Sequence, residues 1–286
     1  MRSLILTHTD GFCRTILVTR CVHKLTSAIV IFDIDGVIRD VGNSYRRALA
    51  DTVEQFTHHA YRPTEVDIDE LKSEGIWNND WEASQELIYR YFETQGQSRS
   101  DLKLNYQEIV AFFQSRYRGL DPENWTGYIC DEPLLLKPYY LEQLSNARIP
   151  WGFFSGATRA SANYVLSKRL GLRSPVLIAM EDAPGKPDPT GLLAAVEQLE
   201  QQFNLEKTAP ILYVGDTVGD MYAVERARSQ YGDRMWLGIG VLPPHVQVTA
   251  QRRQAYAATL KAAGAIVVLD NVQDLTPAQI EQLVVI

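Results

Sequence analysis

Six short apolar runs recur along the chain, at residues 28–32, 149–154, 175–179, 211–214, 235–239 and 265–269. They are continuous rather than alternating, and the first, Ala-Ile-Val-Ile-Phe, is rich in β-branched residues. A strand that is apolar at every position has both faces covered, the condition of a parallel sheet with helices on either side. Segments of helical pattern separate the runs, at 158–170, 189–203, 218–231 and 248–263. Such alternation builds right-handed βαβ units, and it predicts an α/β fold: a doubly wound, Rossmann-like parallel sheet.

One stretch departs from this rhythm. Residues 43–128 carry helical pattern and no strand pattern. Tyr45, Ala48, Leu49, Thr52, Val53 and Phe56 share one helix face by their spacing, and three further helices are expected over 67–74, 80–94 and 106–118. The chain is therefore expected to form an α/β core from 28–42 and 129–286, with a small α-helical cap at 43–128. Its 286 residues suffice for both. Residues 1–27 hold Arg2, Arg14, Arg20 and Lys24 against Asp10, without the long apolar stretch of a secretory signal. They read as a poorly ordered N-terminal extension.

Bulk properties narrow the class of partner. A net charge of −7 argues against nucleic acid or an anionic membrane surface. No apolar run reaches the roughly 18 residues needed to span a bilayer. Cys13, Cys21 and Cys130 have no CxxC or framework spacing, which fits a reducing cytoplasmic compartment.

In an open parallel sheet, ligands bind beyond the carboxyl ends of the strands. The first run ends in Asp33-Ile34-Asp35-Gly36-Val37, and the second in Ser155-Gly156. Gly185-Lys186-Pro187-Asp188-Pro189 follows the third, and Gly215-Asp216-Thr217-Val218-Gly219-Asp220 ends the fourth. This set suits phosphoryl transfer through a carboxylate. A phosphate monoester is a dianion, so an attacking carboxylate needs its repulsion relieved by a hard cation such as Mg²⁺. Asp33, Asp216, Asp220 and the backbone carbonyl of Asp35 are the candidate metal ligands. Aspartate can accept a phosphoryl group covalently, and a second acid at Asp35 can protonate the leaving alkoxide and later deprotonate water. Ser155 and Lys186 can bind non-bridging oxygens, while Gly36 and Gly156 let the backbone approach the phosphate.

The segment FDIDGVIRD resembles the first motif of the haloacid dehalogenase-like superfamily; FFSG, GKPDP and VGDTVGD resemble its second, third and fourth. The resemblance implies that Asp33 is the nucleophile and Asp35 the acid/base. It likewise implies Ser155, Gly156 and Lys186 as the phosphate site, and Asp33, Asp35, Asp216 and Asp220 as the Mg²⁺ site. The helical segment resembles the cap found after the first motif in phosphoglycolate phosphatase-like and β-phosphoglucomutase-like members. The implied activity is a magnesium-dependent phosphatase acting on a small phosphorylated metabolite. A sugar phosphomutase keeps the same motifs and is the alternative. A dehalogenase of this fold lacks the second acid, and a non-catalytic descendant is expected to have lost Asp33 or Asp35.

Four residues are candidates for reading the substrate: Arg46 and Arg47 beside the linker, Asn79 within Asn78-Asn79-Asp80-Trp81, and Arg159 after Ser155-Gly156. Helix capping by Asn79 and plain solvation of the arginines are the competing readings. His58-His59 reads as a solvated pair, Asp40 as a linker residue, Cys130 as a buried small hydrophobe. Trp77, Trp81, Tyr89, Tyr91 and Phe92 read as the core of the helical segment.

Overall fold

The computed structural model describes residues 28–77 and 79–285; the N-terminal extension expected over 1–27 lies outside them. Each of the six apolar runs forms a strand: β1 (Ile29–Phe32), β2 (Trp151–Phe154), β3 (Leu177–Ile178), β4 (Ile211–Gly215), β5 (Trp236–Val241) and β6 (Ala265–Leu269). They lie in the order β3-β2-β1-β4-β5-β6, and every neighbouring pair is parallel. The chain runs outward from β1 through β2 to β3, then returns to place β4 on the other side of β1. The order of strands therefore switches between β1 and β4, where a crevice opens at their carboxyl ends.

Alternate residues of β1 enter two separate cores. Val30 and Phe32 join Phe153, Leu212 and Val214 on one face, covered by Tyr140, Leu141 and Leu144 of α5 (Pro138–Asn146). Ile29 and Ile31 join Phe154, Ile211 and Tyr213 on the other. That face is covered by Leu192, Ala195, Val196 and Leu199 of α7 (Thr190–Phe203), and by Val224 and Ala227 of α8 (Val218–Gln230). Burial on both sides is why the strands are apolar at every position.

Four helices follow β1: α1 (Tyr45–Phe56), α2 (Glu65–Ser73), α3 (Asp80–Thr94) and α4 (Tyr106–Tyr117). They enclose their own apolar cluster, which includes Leu49, Val53, Ile68, Leu71, Leu87, Ile88, Ile109 and Phe113. Tyr45 meets Phe113 and Tyr117 edge-on. Trp77, Trp81 and Phe92 pack against this cluster, whereas Tyr89 lies under Arg99 and Tyr91 stacks on Tyr61. The helix starts are fixed by side-chain caps. Thr64 forms a capping box with Asp67, so α2 begins two residues before the expected start. Asn79 accepts from the amides of Trp81 and Glu82, and Asn105 from that of Gln107. His58 and His59 are exposed, both at positive φ.

Three core features differ from expectation. The helix expected over 158–170 is α-helical only in α6 (Arg159–Asn163), then widens to a π-helical turn over Tyr164–Arg169 that keeps Val165 and Leu166 buried. Neither α5 nor α10 (Pro277–Val284) was anticipated; both are short and open with proline in the first turn. Helix α9 (Ala250–Ala262) matches its expected pattern. Among the described residues, no helix is long and apolar enough to cross a membrane.

The outgoing and returning linkers of the four-helix insert run side by side. Asp40 N donates to Pro133 O at 2.8 Å, and Leu135 N to Ile38 O at 2.8 Å. A second tie joins α2 to α9, where Asp69 accepts from Arg252 at 2.7 Å and lies 3.2 Å from His245 Nε2. Truncating Phe113 to alanine would open a cavity inside the insert. A loss of about 3–5 kcal/mol is expected, read from the urea midpoint of the variant against the parent.

Candidate active site

Asp33 follows β1 directly, and its amide donates to Val214 O at 2.8 Å, carrying the β1–β4 pairing one residue further. The chain then turns sharply, with Ile38 N donating to Ile34 O at 2.7 Å. Gly36 sits in this turn at φ +75°. A Cβ there would overlap the Asp216 carboxylate, so glycine lets the β1 and β4 loops close on one another. Ser155 is held at the end of β2 by its amide, which donates to Ile178 O at 3.0 Å, and its Oγ accepts from Ala157 N at 3.2 Å.

Lys186 enters from the loop after β3. Its Nζ lies 2.9 Å from Asp33 Oδ1 and 2.6 Å from Asp220 Oδ1, over the rings of Phe154 and Tyr213. Asp220 occupies the third position of α8 and forms a capping box with Thr217. Its Oδ2 accepts from Thr217 N at 2.9 Å and Thr217 Oγ1 at 2.7 Å, while Oδ1 also accepts from the Tyr213 hydroxyl at 3.0 Å.

The charges of this cluster are unbalanced. Asp33, Asp216 and Asp220 are all buried and offer oxygens within 4.8 Å of one another. Burial pushes the Asp33 carboxyl up to about 7, despite Lys186. Asp216 lies well above the ordinary carboxylate range, through burial first and then the charges of Asp220 and Asp33. Burial also acts on Asp220, but Lys186 and the Thr217 hydrogen bonds outweigh it and hold that group below its usual value. Burial opposes the charge on Lys186, yet Asp220 and Asp33 together hold its ammonium above the usual lysine range. With all three acids ionised, a single ammonium leaves two negative charges in surplus. Hard oxygen donors with that surplus fit a divalent cation of the magnesium type.

Asp35 lines the same cleft with its own partner: Oδ1 accepts from Arg39 Nε at 2.6 Å. Arg39 in turn reaches Glu132 at 3.0 Å, and Glu132 accepts from Ser44 Oγ at 2.6 Å. Burial pushes Glu132 up to about 7 against the pull of Arg39. The cleft measures about 70 Å³. Asp33, Asp35, Ser155, Gly156, Lys186, Asp216 and Thr217 line one side; Val41, Tyr45, Arg46, Lys72 and Asp80 face them, with Tyr256 of α9. Lys72 and Asp80 form an ion pair at 2.7 Å. Burial raises the Asp80 carboxyl despite that lysine.

The substrate-reading candidates divide. Arg46 lines the cleft, but its guanidinium is bonded to Asp69 and to the Glu65 carbonyl. Asn79 caps α3 and also lines a recess of about 260 Å³ beside Ser155 and Lys186; its neighbour Asn78 lies outside the described residues. Arg47 lies over the Tyr128 ring, and Arg159 pairs with Asp182; neither lines the cleft. Arg39, Glu132, Lys72 and Tyr256 were not candidates from sequence, whereas Asp80 belongs to the run Asn78-Asn79-Asp80-Trp81 singled out there.

A doubly wound sheet with acids at the ends of β1 and β4, a lysine after β3 and a helical insert after β1 defines a class of hydrolases. The family model for a haloacid dehalogenase-like hydrolase matches residues 28–228, and the chain belongs to that family. An imidazoleglycerol-phosphate dehydratase of Phytophthora nicotianae is 30% identical over 259 residues, taking in 87% of this chain and 52% of that protein. The chain thus spans about half the length of the curated relative it matches. A phosphonoacetaldehyde hydrolase-like protein from Oleispira antarctica has the same fold at a TM-score of 0.62 and 16% identity, with 90% of this chain and 93% of that one covered. A phosphatase from Thermococcus thioreducens aligns at 0.57 and 22%, covering 79% and 98%.

The raised carboxyls predict how metal and proton compete. Because the Asp33 value rises from 3.8 to about 7 on folding, its contribution to stability is full below 3.8 and is lost as pH rises through about 7. A cation binds the ionised form. Thermal unfolding with Mg²⁺ and with chelator should therefore show a magnesium-induced rise in Tm that grows between about pH 5 and about pH 8. A rise that is independent of pH would contradict the assignment of surplus charge to this cluster.

Proposed function

We propose that the chain is a magnesium-dependent phosphatase that hydrolyses a small phosphorylated metabolite through an aspartyl-phosphate at Asp33. The observation that carries the reading is the pair of acids at the end of β1. Asp33 faces Lys186, and Asp35, in the same cleft, is held by a separate cation. Two acids in different surroundings can play two roles.

In the first half-reaction an Asp33 carboxylate oxygen bonds to phosphorus. The ester P–O bond breaks, and the leaving oxygen keeps its electron pair and takes a proton from the Asp35 carboxyl. In the second, water attacks phosphorus and gives a proton to the Asp35 carboxylate; the bond to Asp33 breaks, releasing inorganic phosphate. Lys186 and Ser155 hold the non-bridging oxygens through both steps. Asp33, Asp216 and the backbone carbonyl of Asp35 would hold Mg²⁺, which would supply charge neutralisation at the phosphoryl oxygens. Asp220 was expected among the metal acids. Since both its oxygens already accept from Lys186, Tyr213 and Thr217, we assign it to the support of Lys186 and the α8 start.

Residues 43–128 act in this reading as a cap over the core, excluding water and contacting the leaving group through Tyr45, Lys72 and Asp80. The Phytophthora relative is named for a small phosphorylated compound, the class of ester proposed here. Its dehydratase activity is not carried over, because loss of water from a carbon skeleton has no use for a carboxylate set against a phosphate-binding lysine. A cytoplasmic setting rests on cysteine spacing alone.

Hydrolysis of p-nitrophenyl phosphate and of a panel of phosphorylated metabolites tests the proposal. Chelation and Asp33→Asn should each abolish phosphate release, and Asp35→Asn should slow it by about 10²–10⁴-fold. Turnover that survives in Asp33→Asn would sink the mechanism. Isomerisation of a sugar phosphate without release of phosphate would instead favour a mutase.

A further inference from the structure

We infer that Arg39 is the positioning residue for Asp35, and that Glu132 anchors Arg39 where the two linkers meet. The assignment rests on the phosphatase reading above.

Arg39 is 0% exposed and heads the fully buried side chains of the described residues. A guanidinium taken wholly out of water is costly unless each face of it is paired. Both Nε and an Nη of Arg39 converge at 2.6 Å on a single oxygen, Asp35 Oδ1. The other Nη reaches Glu132 Oε2 at 3.0 Å, and the Tyr117 ring lies 5.9 Å from the guanidinium carbon. Asp35 keeps 21% of its side chain exposed and lines the cleft, while the side chains of Arg39 and Glu132 have no exposure at all. The guanidinium thus holds one oxygen of the acid from behind and leaves Oδ2 for the proton transfers.

The backbone supports the same role. Gly36 N donates to Arg39 O at 2.9 Å and Arg39 N to Ile34 O at 3.2 Å, so the loop carrying Asp35 closes on Arg39. Glu132, on the returning linker, accepts from Ser44 on the outgoing one. A mere staple between linkers would need Glu132 and Ser44 but no bond to Asp35. A hydrogen bond from Nε to the proposed acid/base, with a second guanidinium nitrogen in ion-pair contact with the same oxygen, points to its orientation as what the arginine secures.

The test compares an ester with a good leaving group, p-nitrophenyl phosphate, and one with a poor leaving group, glycerol phosphate. Departure of the poor group needs a proton from Asp35 far more. Arg39→Met should lower kcat on glycerol phosphate by about 10–100-fold and on p-nitrophenyl phosphate by only a few fold, with KM nearly unchanged. Arg39→Lys should fall between Arg39→Met and the parent. In an Asp35→Asn background, Arg39→Met should cause no further loss, because a residue acting only through Asp35 has nothing left to position. Should Arg39→Met fail to fold, Arg39→Lys carries the test, and its effect must likewise vanish in the Asp35→Asn background. Equal losses on both esters that add to those of Asp35→Asn, in an active parent, would overturn the assignment alone. A parent inert on both esters and on the metabolite panel would overturn the phosphatase reading and the assignment with it.

Discussion

The ammonium of Lys186 lies between Asp33 and Asp220, and the rest of the site depends on that contact. It joins the loop after β3 to the end of β1 and to the start of α8. Three buried carboxylates within 4.8 Å of one another would otherwise meet with no cation among them. The rings of Phe154 and Tyr213 lie beneath the ammonium and present their faces to it. Breaking one partner of such a pair leaves a buried charge uncompensated, so the site and the local fold are bound together.

Strand order makes this convergence possible. Because β1 is flanked by β2 and β4, the loops after all three open into one crevice, with the β3 loop reaching in from the side. Small residues let the loops close. Gly36 admits the Asp216 carboxylate beneath the first loop, and a side chain at Gly215 would overlap Asp220. The four-helix insert then supplies the opposite wall, where Lys72 and Asp80 form a shielded ion pair. Asp69 ties that wall to the core through Arg252 of α9 and through His245, which precedes that helix. Burial opposes the charge on Asp69, yet His245 and Arg46 hold its carboxyl well below the usual range.

The sheet was legible because burial on both faces demands unbroken apolar strands, and all six were read from that pattern alone. Asp33, Asp35, Ser155, Lys186 and Asp216 were legible because strand ends in a doubly wound sheet share a rim, so position along the chain predicts position in space. Arg39 was not. It meets Asp35 across a tight turn rather than along a helix, and four-residue spacing carries no such signal outside a helix. Lys72, Asp80 and Tyr256 come from α2, α3 and α9, and only the docking of the insert on the core brings them together. Arg47 and Arg159 do not line the cleft, and each has a ring or an acid close by. The short helices α5 and α10 escaped notice because two turns are too few for a periodic pattern to stand out.

The central claim is a covalent bond between phosphorus and Asp33. Acid quenching during turnover, followed by peptide mass spectrometry, measures it directly. The account predicts one added phosphoryl group on the peptide containing Asp33, located to that side chain and removed by mild base. A phosphoryl group on another residue, or none under conditions where substrate is being hydrolysed and the quench outruns the second step, would contradict it.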